Sequence, residues 1–225
     1  MRTYLTKNRK NFIVIGISFS TGIMVLVSVF ELVPAALING SFFSVATAVL
    51  AGIFLAVLAN HLVPHSHIIK EEHRHRRIAL KTAYLIAAGL ILHDFPEGFA
   101  MANSYVYAPS LGIIVAMAIA LHNIPEEFAM AMPLIAAGEK KKTIYKIAFL
   151  SGLAEPVGAV ICLLAIQFFI GLNAWLMAFA AGIMVYVAIH ELWPMARSYE
   201  KPRYLPIGIL LSLIVYLILI YAVPS

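Results

Sequence analysis

Residues Phe12 to Leu37 read FIVIGISFSTGIMVLVSVFELVPAAL, an apolar stretch interrupted by a single carboxylate, Glu31. A helix rises 1.5 Å per residue, so about 20 apolar residues cross a hydrocarbon core of about 30 Å. The stretch follows a basic N-terminus, but it is too long for the apolar core of a secretion signal and it carries Glu31, so no cleavable signal is expected. Working outward, six more runs of the same kind follow: Phe42 to Val63, Thr82 to Asn103, Ser110 to Ala136, Thr143 to Ile170, Asn173 to Met195 and Leu205 to Val223. Backbone polar groups inside lipid must bond within the protein, so each run reads as a helix. The expected fold is all-α: a polytopic membrane helix bundle of seven transmembrane helices, a single transmembrane domain over residues 1–225. Composition agrees, with 62% hydrophobic and 12% charged residues where soluble domains sit near a quarter charged. Cys162 is the only cysteine, so no disulfide framework exists.

All sixteen Lys and Arg residues fall on alternate connections. Arg2, Lys7, Arg9 and Lys10 precede the first run. Lys70, Arg74, Arg76, Arg77 and Lys81 follow the second. Lys140, Lys141, Lys142 and Lys146 attend the start of the fifth, and Arg197, Lys201 and Arg203 lie between the sixth and seventh. The positive-inside rule therefore puts the N-terminus in the cytoplasm and the C-terminus outside a cell membrane. In a soluble protein a net charge of +5 would suggest nucleic acid; here it serves topology, the partner is the lipid bilayer, and no nucleic acid is expected. The longest polar connection, residues 65–81, is a His-rich cytoplasmic loop with His65, His67, His73 and His75.

Seven carboxylates lie inside the runs: Glu31, Asp94, Glu97, Glu126, Glu127, Glu155 and Glu191. A charge at the bilayer centre costs roughly 2.5–3.5 kcal/mol even on the lenient insertion scale. No Lys or Arg lies at mid-run to neutralise them, so each is protonated, hydrogen-bonded or balanced by a cation. Two runs repeat one pattern: His93-Asp94-Phe95-Pro96-Glu97 and His122-Asn123-Ile124-Pro125-Glu126. His and Glu four apart share a helix face, as do Asp94 and Glu97 three apart. Imidazole nitrogen with carboxylate oxygen suits a borderline divalent ion such as zinc or ferrous iron. Pro96 and Pro125 lack an N–H, so the carbonyls of Leu92 and Leu121 lose their helical partners and a bend is expected at each; such discontinuities mark transporter sites. His93 and His122 each lie about 15–18 Å into their runs, near the bilayer centre. Glu155, just before Pro156, shares that depth. These residues could build one or two adjacent sites, with His93, Glu97, His122 and Glu126 in one, and Asp94, Glu97, Asn123, Glu126 and Glu155 in the other.

Other features have plainer readings. Glu31 and Glu191 fit helix–helix hydrogen bonding. The loop histidines form either a solvated turn or a weak metal-capture patch. His61, His190 and Glu191 either line an exit path or bond at the interface. Met101, Met130 and Met132 fit lipid or core contacts, and Tyr105, Tyr107, Trp175, Trp193 and Tyr204 fit interface anchors.

At the two H-[DN]-x-P-E motifs the sequence resembles the ZIP (Zrt-, Irt-like) family of divalent metal transporters. The likeness extends to Gly22-Ile23-Met24, Glu31 through Leu37, Leu62 through His67, Ser151 through Glu155, Ala181 through Val185 and Glu191 through Pro194. The resemblance implies an eight-helix fold, a binuclear metal site, uptake toward the cytosol, commonly a homodimer, and helices that carry the metal moving as an elevator against a static scaffold. It assigns metal binding to His93, Asp94, Glu97, His122, Asn123, Glu126 and Glu155, and it implies no catalytic residues. Three features depart from the family pattern. The family's first helix has no counterpart here, Asp94 stands where Asn is usual, and Glu127 stands where Gly is usual. Asp94 makes the second site more anionic. Glu127 is either a further ligand or a protonated group facing the cavity.

The expected function is therefore uptake of Zn2+, with Fe2+, Mn2+ and Co2+ as further candidates, by alternating access. One rival is an intramembrane metal-dependent hydrolase using the same groups to activate water; His190-Glu191-Leu192-Trp193-Pro194 lacks the second His of a His-Glu-x-x-His pair. The other is a proton-coupled carrier of organic solutes with protonated acids.

Overall fold

The computed structural model describes residues 7–62, 91, 94–136, 139–168, 173–198 and 202–223. All regular structure among them is helical. The elements are α1 (Lys7–Val27), a π-helical turn (Ser28–Leu32), α2 (Val33–Asn39), α3 (Phe42–Leu62), α4 (residues 94–107), α5 (Pro109–Ala136), α6 (Lys141–Gly152), α7 (Ala154–Phe168), α8 (Asn173–Val187), a second π-helical turn (Ala188–Leu192), α9 (Trp193–Ser198), a short 3-10 turn (Pro202–Tyr204) and α10 (Leu205–Ala222). Among the described residues, four helical stretches are long and apolar enough to cross a bilayer: Asn11–Asn39, Lys141–Phe168, Asn173–Ser198 and Pro202–Ala222. Shorter apolar segments lie at Phe42–Leu58 and Pro109–Pro125. Large apolar side chains such as Phe42, Phe43, Phe54, Leu210 and Tyr221 point outward, as they should where the surrounding solvent is hydrocarbon. The His-rich loop at 65–81 and most of the third run lie outside the described residues. The protein is a polytopic membrane helix bundle.

The two π turns expose a repeat. Gly22-Ile23-Met24-Val25 and Glu31-Leu32-Val33-Pro34-Ala35-Ala36 recur, with numbers 160 higher, as Gly182-Ile183-Met184-Val185 and Glu191-Leu192-Trp193-Pro194-Met195-Ala196. Proline has no N–H to give to the carbonyl four residues back. In both copies the chain loosens one turn just before it: Val33 N–H donates to the carbonyl of Ser28, and Trp193 N–H to that of Ala188, the i to i−5 pattern of a π-bulge. Each bulge carries a carboxylate, Glu31 or Glu191. The copies run antiparallel: α1 packs on α9 and on the second π turn, while α2 packs on α8.

Glycines lock each copy to its other neighbour. A Cβ on Gly182 would lie 2.3 Å from the Val49 carbonyl oxygen, and one on Gly52 would lie 2.1 Å from that of Phe179, so α3 and α8 touch backbone to backbone. The partner contact joins α1 to α10, where Gly22 meets Ser212 and Gly208 meets the Ile15 carbonyl. Small residues at helix crossings let dispersion and weak polar contacts replace the hydrophobic drive that lipid removes. The buried core of Ile17, Ile23, Met24, Leu32, Met177, Met184 and Val187 lies among these four long elements.

α4 and α5 form a tight hairpin. Only Ala108 separates them, and Gly112 sits against the Tyr105 backbone, where a Cβ would approach Cα to 2.4 Å. α5 passes through Pro125 without interruption. Pro96 lies where description of the third run resumes, so the bend expected there lies outside the described residues. The chain instead breaks in the fifth run: α6 ends at Gly152, Leu153 forms a turn, and α7 begins at Ala154, with Pro156 in its first turn. Proline is suited to a first turn, where its missing N–H has no intrahelical partner to lose.

Two outcomes check this packing. Gly182→Ala and Gly52→Ala should each lower stability by roughly 1–3 kcal/mol through forced separation of α3 and α8, read as a lower melting temperature in detergent. Gly152→Ala, whose Cβ meets nothing within 4 Å, should change stability by less than about 1 kcal/mol. Equal melting of all three variants would contradict the backbone contact. Tyr216→Phe removes the hydroxyl that donates to Glu31 Oε1 at 2.8 Å and should cost about 1–3 kcal/mol.

Candidate metal site

The α4–α5 hairpin brings the two repeated motifs to one level. Glu97 lies one turn into the described part of α4 and is fully buried, and His122 on α5 is 1% exposed. Nε2 of His122 lies 2.9 Å from Oε1 of Glu97, and its Nδ1 lies 2.9 Å from the Ala118 carbonyl. A carbonyl only accepts, so Nδ1 carries a proton and donates it there. Nε2 then points either a lone pair or a second proton at the carboxylate. A lone pair against a carboxylate is repulsive, so the pair needs one positive charge between its atoms: a proton, or a metal ion in its place. An imidazole anchored through one nitrogen to a backbone carbonyl, with the other turned into a site, is the usual setting of a metal-binding histidine.

The second pair joins α5 to α7. Asn123 Nδ2 donates a short hydrogen bond to Oε1 of Glu155. The other end of the same amide, Asn123 Oδ1, is buried and has no hydrogen-bond partner among the described residues. A buried amide oxygen without a donor costs about 1–3 kcal/mol; a cation would satisfy it. Glu155 stands in the first turn of α7, directly after the helix break, where free backbone N–H groups favour a negative charge. Asp94, at the start of described α4, is 4% exposed and one turn from Glu97.

Close backbone approach holds the two pairs side by side. A Cβ on Gly98 would lie 1.9 Å from the Glu155 carbonyl oxygen, and one on Gly158 would lie 2.1 Å from that of Phe95. α4 and α7 therefore touch at the residue after Glu97 and at Glu155 itself. From the other side α1 braces α5: Ser20 Oγ donates to the His122 carbonyl at 3.0 Å, and Gly16 sits against Pro125, where a Cβ would come within 2.9 Å.

Of the residues expected at the site, Glu97 meets His122 and Asn123 meets Glu155. His93 and the side chain of Glu126 lie outside the described residues, as do the loop histidines and the side chain of His61. Among the described residues no three His, Cys, Asp or Glu side chains converge. Glu31 takes the plainer role foreseen for it, accepting from Tyr216 of α10. His190 stacks on Tyr186, with ring centroids 4.4 Å apart. One contact was not anticipated: Ser151 Oγ donates toward Oε1 of Glu127 at 3.2 Å. Its signal was present in the spacing, since Glu127 is four residues after Asn123 and Ser151 four before Glu155.

The family model described as ZIP Zinc transporter matches residues 65–219. The zinc transporter ZupT of Corynebacterium aurimucosum is 38% identical over 210 residues, covering 83% of this chain and 77% of that protein. ZupT of Streptococcus mutans is 36% identical over 231 residues, covering 94% and 87%. The zinc transporter GufA of Myxococcus xanthus is 37% identical over 175 residues, covering 77% and 68%. A family match over most of the chain, together with relatives of this identity and coverage, places the protein in the ZIP zinc transporter family, as a multi-pass membrane transporter and not an enzyme.

Proposed function

We propose that this chain carries Zn2+ across a cell membrane toward the cytosol through the site between α4, α5 and α7. The observation that carries the reading is the buried Glu97–His122 pair beside the unsatisfied Asn123 oxygen. Both call for a positive charge at a depth where the chain supplies no Lys or Arg. The zinc transporters named above point to the same cargo. We assign binding of the cation to His93, Asp94, Glu97, His122, Asn123, Glu126 and Glu155, arranged as two adjacent sites bridged by carboxylates. Nitrogen and carboxylate donors also admit Fe2+, Mn2+ and Co2+. Release requires that coordination be incomplete enough for water to compete.

The motion we propose is an elevator. α1, α3, α8 and α10 are interlocked through Gly22, Gly52, Gly182 and Gly208 and form the fixed part. The α4–α5 hairpin and α6–α7 form the moving part. An apolar crevice of about 480 Å³ separates them in places, with Leu55, Ala56 and Ile183 on one wall and Phe95, Leu153 and Val157 on the other. That crevice has few directional bonds to break on sliding; on the other side sliding would have to break the contact of α1 with α5 through Ser20 and Gly16. The alternation of basic connections supports a cytoplasmic N-terminus, and we extend the reading to a homodimer.

Uptake of radioactive zinc into metal-starved cells tests the function. Glu97→Ala and Glu126→Ala should each reduce uptake to background; wild-type uptake in both would overturn the site. Metal binding also requires deprotonated ligands. Protons compete with the cation for imidazole and carboxylate donors, so uptake should fall as external pH is lowered from about 7.5 to about 5.5. A rate that held or rose over that interval would contradict ligation by these groups.

A further inference from the structure

The Asn123–Glu155 contact has a neighbour one helical turn away. Four residues beyond Asn123 on α5 is Glu127, and four before Glu155, on α6, is Ser151. Residues four apart stack on one face of a helix, so Glu127 and Ser151 meet as the next rung between the same two runs. Ser151 Oγ lies 3.2 Å from Glu127 Oε1 and 3.9 Å from Sδ of Met130. Ser151 and Met130 are fully buried. The step from the first rung to the second leads toward Lys140, Lys141 and Lys142, the end that the charge pattern assigns to the cytosol.

The chemistry of this rung is unusual. Ser151 has one hydroxyl proton, and besides Glu127 its oxygen lies 3.0 Å from the Ala148 carbonyl and 3.2 Å from that of Ile147. Back-bonding to the preceding turn is the ordinary habit of a helical serine, and Ala148 offers the shortest contact. Whichever acceptor takes that proton, Glu127 Oε1, Ser151 Oγ and Met130 Sδ are gathered as three donor atoms that one cation could share. Two oxygens each about 2.1 Å from one ion, separated by an angle of about 100°, are about 3.2 Å apart. A thioether sulfur bound to the same ion at a somewhat wider angle falls about 3.9 Å from an oxygen ligand.

We propose that Glu127, Ser151 and Met130 form a transient station for a divalent transition cation, one turn beyond the main site on its way to the cytosol. This rests on the transport function proposed above. A single carboxylate with a neutral hydroxyl and a thioether holds an ion weakly, as a release station must. The soft sulfur favours zinc and cadmium over manganese.

The test uses purified full-length protein in liposomes that enclose a fluorescent indicator of zinc and cadmium, with folding of each variant checked by its melting temperature. Glu97→Ala serves as the reference for the main site. We expect Glu127→Gln to lower the maximal zinc rate about ten-fold while leaving the half-saturating concentration within about two-fold of wild type, because entry and first binding are untouched. Met130→Leu should lower the ratio of cadmium to zinc rates about three-fold or more. Independently of any variant, X-ray absorption of the wild-type protein loaded with excess cadmium should contain a sulfur shell, which Met130→Leu removes. Wild-type rates and ratios in Glu127→Gln and Met130→Leu, with Glu97→Ala inactive, would overturn the station alone. Absence of sulfur scattering from the cadmium-loaded wild type would overturn it too. Full transport by Glu97→Ala would instead overturn the main-site reading on which it stands.

Discussion

A carboxylate halfway through a bilayer must be given a proton, a donor or a cation, because lipid offers no hydration in their place. Much of what distinguishes this protein follows from how each acid meets that demand. Glu31 receives a hydroxyl from Tyr216. That donor is complete in itself, and it ties α1 to α10. Glu97 faces His122, and Glu155 faces Asn123. Those partners are different in kind: an imidazole that needs a shared positive charge, and an amide whose oxygen remains unsatisfied. The first arrangement is structural and needs nothing further. The other two leave a need that a cation would meet, which is the ground for the site proposed above.

The long helices α1, α3, α8 and α10 are joined in pairs by backbone contact. Gly52 and Gly182 let α3 and α8 approach until carbonyl oxygens occupy the space where side chains would stand, and Gly22 and Gly208 do the same for α1 and α10. Where lipid and apolar side chains attract equally, such close contact is the main source of specificity. The π turns before Pro34 and Pro194 let each long helix keep its hydrogen bonding past a proline. By contrast, the fifth run breaks at Leu153, and this break places Glu155 in the first turn of α7. Gly98 and Gly158 press α4 onto α7 at Glu155 and one turn beyond it, while Leu153 lines the apolar crevice.

Several of these features were legible beforehand, for local reasons. Among the described residues, six of the seven apolar runs coincide with helical stretches, since span length follows from bilayer thickness; most of the third lies outside them. The two H-[DN]-x-P-E motifs share residues that meet, Glu97 on α4 with His122 on α5, and the reading of Glu31 as a helix–helix partner agrees with its bond to Tyr216. Other features were missed or placed elsewhere. The proline at 125 suggested a discontinuity in the fourth run, yet α5 continues through it, braced by Ser20 and Gly16 of α1, and the discontinuity lies in the fifth. The repeat linking residues 22–36 to 182–196 was present in the letters, but its meaning as two antiparallel halves depends on how they pack.

The linear sequence by itself determined the membrane as solvent, the helical class, the alternation of basic connections and the spacing that puts His and carboxylate groups on shared faces. All of these follow from period, length and charge, which are properties of a single segment. Only the tertiary structure decided which acid meets which donor: Glu97 with His122, Glu155 with Asn123, Glu127 with Ser151. Those pairings depend on the rotation and separation of neighbouring helices. They are set by the contacts of small residues far apart in the chain, and no periodicity within one helix encodes them.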